Sequence, residues 1–84
     1  MQMIAHYKVN DYSTFKTAFD NDAEDRDTAG LSLLQLWRED DGHSWALFQV
    51  GNPKAARDYL DGASAVFAAQ AGVTATDAHF VDTV

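Results

Sequence analysis

Residues Leu31 to Val50 read LSLLQLWREDDGHSWALFQV, and this stretch decides the fold. Two apolar, β-favouring runs flank Asp41-Gly42, a dipeptide that marks a tight hairpin turn. Leu31–Asp40 and His43–Val50 are therefore expected to be antiparallel partners. Simple alternation places Leu31, Leu33, Gln35, Trp37 and Glu39 on one side of the first run. Ser32, Leu34, Leu36, Arg38 and Asp40 fall on the other. The second run splits into His43, Trp45, Leu47 and Gln49 against Ser44, Ala46, Phe48 and Val50. Counting outward from the turn sets Trp37 roughly opposite Leu47 and Trp45 opposite Glu39. Neither face of the first strand is plainly polar before its far end, so both faces are expected to be covered.

On each side of the hairpin lies a helix and then an outer strand. Upstream, Met1–Val9 alternates as a strand, with Met3, Ala5, Tyr7 and Val9 on one face and Gln2, Ile4, His6 and Lys8 on the other. Tyr12–Ala29 follows as a helix, capped by Asp11 or Ser13, with an inward stripe of Phe15, Ala18, Phe19, Ala23 and Arg26. Gly30 closes it. Downstream, Asn52-Pro53 supplies an N-cap and a first helical residue. That helix runs to Ala71, with Gly62 a weak point inside it. Its stripe is Ala56, Tyr59, Leu60, Ala63, Phe67 and Ala71. Gly72 ends it, and Val73–Val81 forms the last strand. The order β-α-β-β-α-β is the α+β ferredoxin-like pattern. Right-handed crossovers put both helices on one face of a sheet ordered 4-1-3-2.

The other face of that sheet is the informative one. In a lone chain it should be polar, yet each strand is apolar on both sides. The chain has 84 residues, no cysteine, and no spacing of histidines and carboxylates typical of a metal site. It reads as a single domain (1–84) too small to rely on a large core and lacking the usual small-protein staples. A homodimer with the two sheets packed face to face is the expected solution. Thirteen acids against six bases give a net charge of −7, which disfavours nucleic acid and anionic membranes as partners. No apolar run is long enough to span a bilayer. No basic, apolar leader opens the sequence, and a cytoplasmic location is expected. The acidic stretch Asp20–Asp27 reads as a solvated helix face, since it lacks the glycine and terminal glutamate of a calcium loop.

Tyr7-Lys8-Val9 with Asp11-Tyr12, then Phe15-Lys16 and Phe19-Asp20, resembles the start of small proteins of the dimeric α/β-barrel superfamily. Arg26, Gly30, the Asn52-Pro53 helix start and the Ala71-Gly72-Val73 junction fit the same branch, close to the antibiotic-biosynthesis monooxygenase-like domains. The resemblance covers nearly the whole chain. It implies a dimeric α/β barrel and, more loosely, one of several activities: cofactor-free oxygenation, cyclisation, isomerisation, haem degradation or a stress-related binding role. Haem-degrading members carry a histidine ligand on the second helix, and Asn52–Ala71 contains none, so no cofactor is expected. The remaining readings are a cofactor-free monooxygenase- or cyclase-like enzyme for a small hydrophobic or aromatic substrate, and a non-catalytic ligand-binding or stress-associated dimer. The enzyme reading calls for an enclosed pocket between sheet and helices.

Candidate site residues follow from chemistry and strand position. His6 and His79 fall on neighbouring strands, and an imidazole shuttles protons near neutral pH. Asp77 shares a face with His79 and is the candidate to orient it. Trp37 and Trp45 are candidates to wall an aromatic ligand, and Arg38 to grip a carboxylate or phenolate through its planar fork. Tyr7, Gln35 and Gln49 are polar groups on strands expected to point inward, where each needs a hydrogen-bond partner. His43, next to the turn, is expected to be exposed. Isolated glycines argue against a nucleotide loop, and no serine sits in a nucleophile-elbow context.

Overall fold

The computed structural model describes residues 1–84 and forms one four-stranded antiparallel sheet with helices on one face. The strands are β1 (Gln2–Val9), β2 (Leu31–Asp40), β3 (His43–Val50) and β4 (Val73–Val81). Their order, β2-β3-β1-β4, is the expected 4-1-3-2 arrangement. Between them run α1 (Tyr12–Asn21), α2 (Ala23–Thr28), α3 (Pro53–Asp61) and α4 (Ala63–Ala71).

Each helix expected from the sequence is thus two helices, and the order is β-α-α-β-β-α-α-β. The break at Gly62 falls where glycine already weakens the helix. The break at Asp22 leaves that residue facing inward, beside Tyr59 and Arg26. The breaks turn Ala23 and Ala63 out to solvent, against the expected stripe, while Phe15, Phe19, Arg26, Ala56, Tyr59, Phe67 and Ala71 are buried as their spacing implies. Asp11 caps α1 by accepting from the Thr14 N–H at 2.9 Å, which holds its carboxyl below the usual aspartate range. Asn52 caps α3 by accepting from the Ala55 N–H at 3.1 Å, with Pro53 opening the helix.

The core lies between the helices and the alternating faces of β1 and β3. Met3, Ala5, Tyr7 and Val9 meet Ala46, Phe48 and Val50 on the sheet side. Above them Tyr7, Phe15, Phe19 and Phe67 form one aromatic cluster, with ring centroids 5.2 to 6.2 Å apart and mostly tilted or edge-on. Such geometry adds to area burial.

β2 departs from simple alternation. Leu33 pairs with Phe48 and Gln35 with Leu47, so Leu34 is an extra residue without a partner. A second extra residue, Glu39, lies between the pairs Arg38–Ser44 and Asp40–His43. These two β-bulges shift the phase of the strand. Trp37 therefore stands directly opposite Trp45, not opposite Leu47, and the backbone partner of Trp45 is not Glu39. Leu36 and Arg38 move to the helix-covered face and Trp37 to the other. Neither Asp41 nor Gly42 takes a positive φ. The turn is therefore not of the primed type that an unbulged two-residue hairpin prefers, and the extra residue Glu39 lies beside it.

Candidate functional site

The sheet face without helices carries Gln2, Ile4, His6 and Lys8 from β1, and His43, Trp45, Leu47 and Gln49 from β3. From β2 it receives Gln35 and Trp37, and from β4 Ala75, Asp77, His79 and Val81. Nothing in the chain covers it. Trp37 and Val81 are its conspicuous exposed apolar residues.

At its centre is a cluster built by register. His6 stands opposite Trp45 on one side and Asp77 on the other. Its Nε2 lies 3.0 Å from His43 Nδ1, and its Nδ1 lies 4.0 Å from Asp77 Oδ2. The His6 and Trp45 rings pack with centroids 4.4 Å apart. The Trp45 indole N–H donates to Glu39 Oε1 at 2.7 Å, which fixes the ring. The His6 side chain is only 20% exposed, low for an uncovered face.

The sequence-predicted residues divide around this cluster. His6, Asp77, Trp37 and Trp45 are brought together on one face. Asp77 faces His6 rather than His79, because β4 pairs with β1 so that His79 stands opposite Ile4. His79 is exposed, with no hydrogen bond or ion pair. Gln35 and Gln49 do not point inward. Both are exposed on the open face, where Gln49 bonds to Gln2 and to the Met1 carbonyl. Arg38 lies on the helix-covered side, where it pairs with Asp41 at 2.6 Å and stacks on Tyr12 at 4.6 Å. It is thereby separated from the histidines. His43 is half-buried rather than exposed, and it is hydrogen-bonded to His6. The signal that points to it is the strand order, since His43 stands opposite Lys8, two residues from His6.

A second polar group is buried beneath the helices. Tyr7 points inward, as expected, and burial pushes its phenol far above the usual range. Tyr59 donates to Asp22 Oδ2 at 2.5 Å, and burial, then the Asp22 charge, raises its phenol too. Asp22 is the exception in an otherwise exposed acidic stretch: burial raises its carboxyl, while the Tyr59 hydroxyl and Arg26 pull the other way. Arg26 is 5% exposed, donates to the Phe19 carbonyl at 2.6 Å and lies 3.8 Å from the Phe19 ring. The network ties α1, α2 and α3 together.

Two open clefts mark the helical layer, one lined by Ser13, Thr17, Asn21 and Gln70, the other by Asp25, Thr28, Asp58 and Tyr59. No strand residue lines either, and the single chain forms no enclosed pocket between sheet and helices. No helix is long and apolar enough to cross a membrane.

Fold and topology define the class as an α+β ferredoxin-like domain with one bare sheet face. No protein-family model and no curated protein matches the chain. Among solved structures, it is similar to the solution structure of the C-terminal domain of the MgtC protein from Mycobacterium tuberculosis. That match has a TM-score of 0.55 and 15% identity, and covers 93% of this chain and 82% of that one. At this identity the likeness shows the fold alone.

Proposed function

We propose that the chain works as a homodimer whose two open sheet faces oppose each other, holding a small hydrophobic or aromatic ligand between them. This matches what the resemblance to the antibiotic-biosynthesis monooxygenase-like branch of the dimeric α/β-barrel superfamily implies. The observation that carries it is the uncovered face itself. Ile4, Leu47, Trp37, Trp45 and Val81 surround a small polar centre there, while the opposite face is filled by helices. Four strands ~4.8 Å apart and ~8 residues long at ~3.3 Å each span roughly 19 by 26 Å. Two such faces remove on the order of 1,000 Å² as a flat projection, which reaches the range of specific interfaces.

Charge placement agrees with this. Asp20, Asp22, Glu24, Asp25, Asp27, Asp58 and Asp61 all lie on or between the helices. The open face carries Lys8 and three histidines against Asp77 and Glu39. With the histidines neutral the open face sums to −1 of the −7, so most of the charge lies away from the proposed interface. A cofactor-free monooxygenase- or cyclase-like turnover is the second reading: the hydrogen-bonded histidine pair favours it, and because one chain encloses no pocket between sheet and helices, the enclosure it needs would have to form between the two open faces.

Light scattering across a dilution series tests the dimer. The expected mass is twice the 9.2 kDa of one chain, falling to one chain in Leu47→Asp. A 9.2 kDa species for the wild type at micromolar concentration overturns the proposal.

A further inference from the structure

We propose that Asp77, His6 and His43 form a proton relay ending at His43 Nε2, and that this atom takes the proton of a weakly acidic aromatic hydroxyl. The relay rests on the ligand-binding reading of the open face, but all of its residues come from one chain.

A hydrogen bond between two ring nitrogens needs one protonated nitrogen and one bare nitrogen. His6 Nε2 and His43 Nδ1 are 3.0 Å apart. The rings are parallel within 8°. Either nitrogen could carry the proton, and the neighbours decide which. Asp77 Oδ2 sits 4.0 Å from His6 Nδ1, so its negative charge favours an N–H there. A neutral His6 then has a bare Nε2. His43 Nδ1–H must donate to it, which leaves the bare nitrogen of His43 at Nε2. That atom has no protein partner. It is also absent from the buried unpaired polar atoms, of which Ser44 Oγ alone qualifies, so it opens to solvent. A free imidazole acceptor is thereby held in one tautomer at a fixed place.

The surroundings select the ligand. Lys8 stands opposite His43 on β1. Trp45, held by Glu39, and Trp37 directly across from it supply flat apolar surface. An ammonium, a bare imidazole nitrogen and an indole floor suit a phenol or a cyclic enol. In the transfer, the ligand O–H breaks and its electron pair stays on oxygen. The proton goes to His43 Nε2, and the Nδ1 proton of His43 moves to His6 Nε2. His6 then carries the positive charge toward Asp77, and the phenolate faces Lys8.

Long-range nitrogen–proton correlation spectra of the labelled full chain read the tautomers without any variant. His43 and His6 are both expected as Nδ1–H, with Asp77→Asn shifting His43 toward Nε2–H. The chromogenic probe 4-nitrophenol, added at a pH where the free probe is mostly protonated, is expected to gain its phenolate band with wild type and lose the gain with His43→Gln. A wild-type His43 in the Nε2–H form, no band gain with wild type, or a gain that persists in His43→Gln overturns the relay. Light scattering on the same samples separates the two proposals. A dimer without the band leaves the dimer standing and removes the relay, and a monomer with the band does the reverse.

Discussion

Replacing Tyr59 by Phe removes one oxygen and keeps the ring that packs at the edge of the core. The lost group is the donor to Asp22 Oδ2 at 2.5 Å. A hydrogen bond to a charged group contributes about 1.5–3 kcal/mol, against about 0.5–1.5 for a neutral pair. Asp22 keeps a tenth of its side chain in solvent, so the lower part of the charged range applies, about 2 kcal/mol at neutral pH. Arg26 at 3.8 Å remains and prevents a larger loss. The pH dependence has a definite sign. Burial raises the Asp22 carboxyl above its ordinary value in the folded chain, against the pull of Tyr59 and Arg26. The folded state then holds the proton more tightly than the unfolded state. This contribution to stability is therefore fully present below the unfolded value and is lost as pH rises through the folded one. Without the Tyr59 hydroxyl the folded value rises further, so the variant loses more, and up to a higher pH. The difference between wild type and Tyr59→Phe should grow from about 1 kcal/mol in acid, where the bond is neutral, to about 2 at neutral pH. Urea unfolding across pH measures it. With a slope near 1 kcal/mol per molar, the neutral midpoint should fall by about 2 M. A pH-independent difference, or a neutral cost under about 0.5 kcal/mol, refutes the reasoning.

Two further substitutions test the frame. Ser44 is fully buried on the helix-covered face of β3 and its Oγ has no partner. Ser44→Ala should be neutral or stabilising by up to about 1 kcal/mol, a rise of a few degrees in Tm, and a clear fall would show that the hydroxyl has a partner in solution. Gly30 lies at φ +73°, and an added Cβ would sit 3.0 Å from Asn52 N and 3.2 Å from Asn52 Cβ, at the cap of α3. Gly30→Ala should cost about 2 kcal/mol, roughly a 10 °C fall in Tm for a domain of this size. Gly51→Ala, whose Cβ would meet nothing nearer than 3.7 Å, should change Tm far less, and equal effects from the two would refute the assignment.

The strands and their order were legible because period-two alternation and Gly, Asn and Pro punctuation agree throughout β1, β3 and α3. The split at Gly62 was half-legible, since glycine marks a weak point without requiring a break. The split at Asp22 was not legible. Nothing local distinguishes that position from its acidic neighbours, and its partner Tyr59 is 37 residues away. The bulges in β2 were hidden for a different reason. Leu33, Leu34 and Leu36 put apolar side chains in both phases of the strand, so the pattern does not penalise a one-residue slip. Alternation specifies register only where one face is distinctly polar.

That slip is what assembles the open face. Before Leu34, the alternation of β2 sends Leu31 and Leu33 toward the helices. Carried on unbroken, it would send Trp37 there as well and present Arg38 beside the histidines. The extra residue at Leu34 reverses this, leaving Trp37 opposite Trp45 and Arg38 opposite buried Ser44. The second extra residue, Glu39, fixes the Trp45 indole, and the turn then delivers His43 to His6. The side-chain chemistry of His6, Asp77, Trp37 and Trp45 is visible in the sequence residue by residue. The place of His43 beside His6, and the pairing of Asp77 with His6 in place of His79, are not visible there, because both depend on cross-strand register. In a sheet of this kind the polar centre is a property of register, so its residues are recognised as a group only once the bulges have been placed.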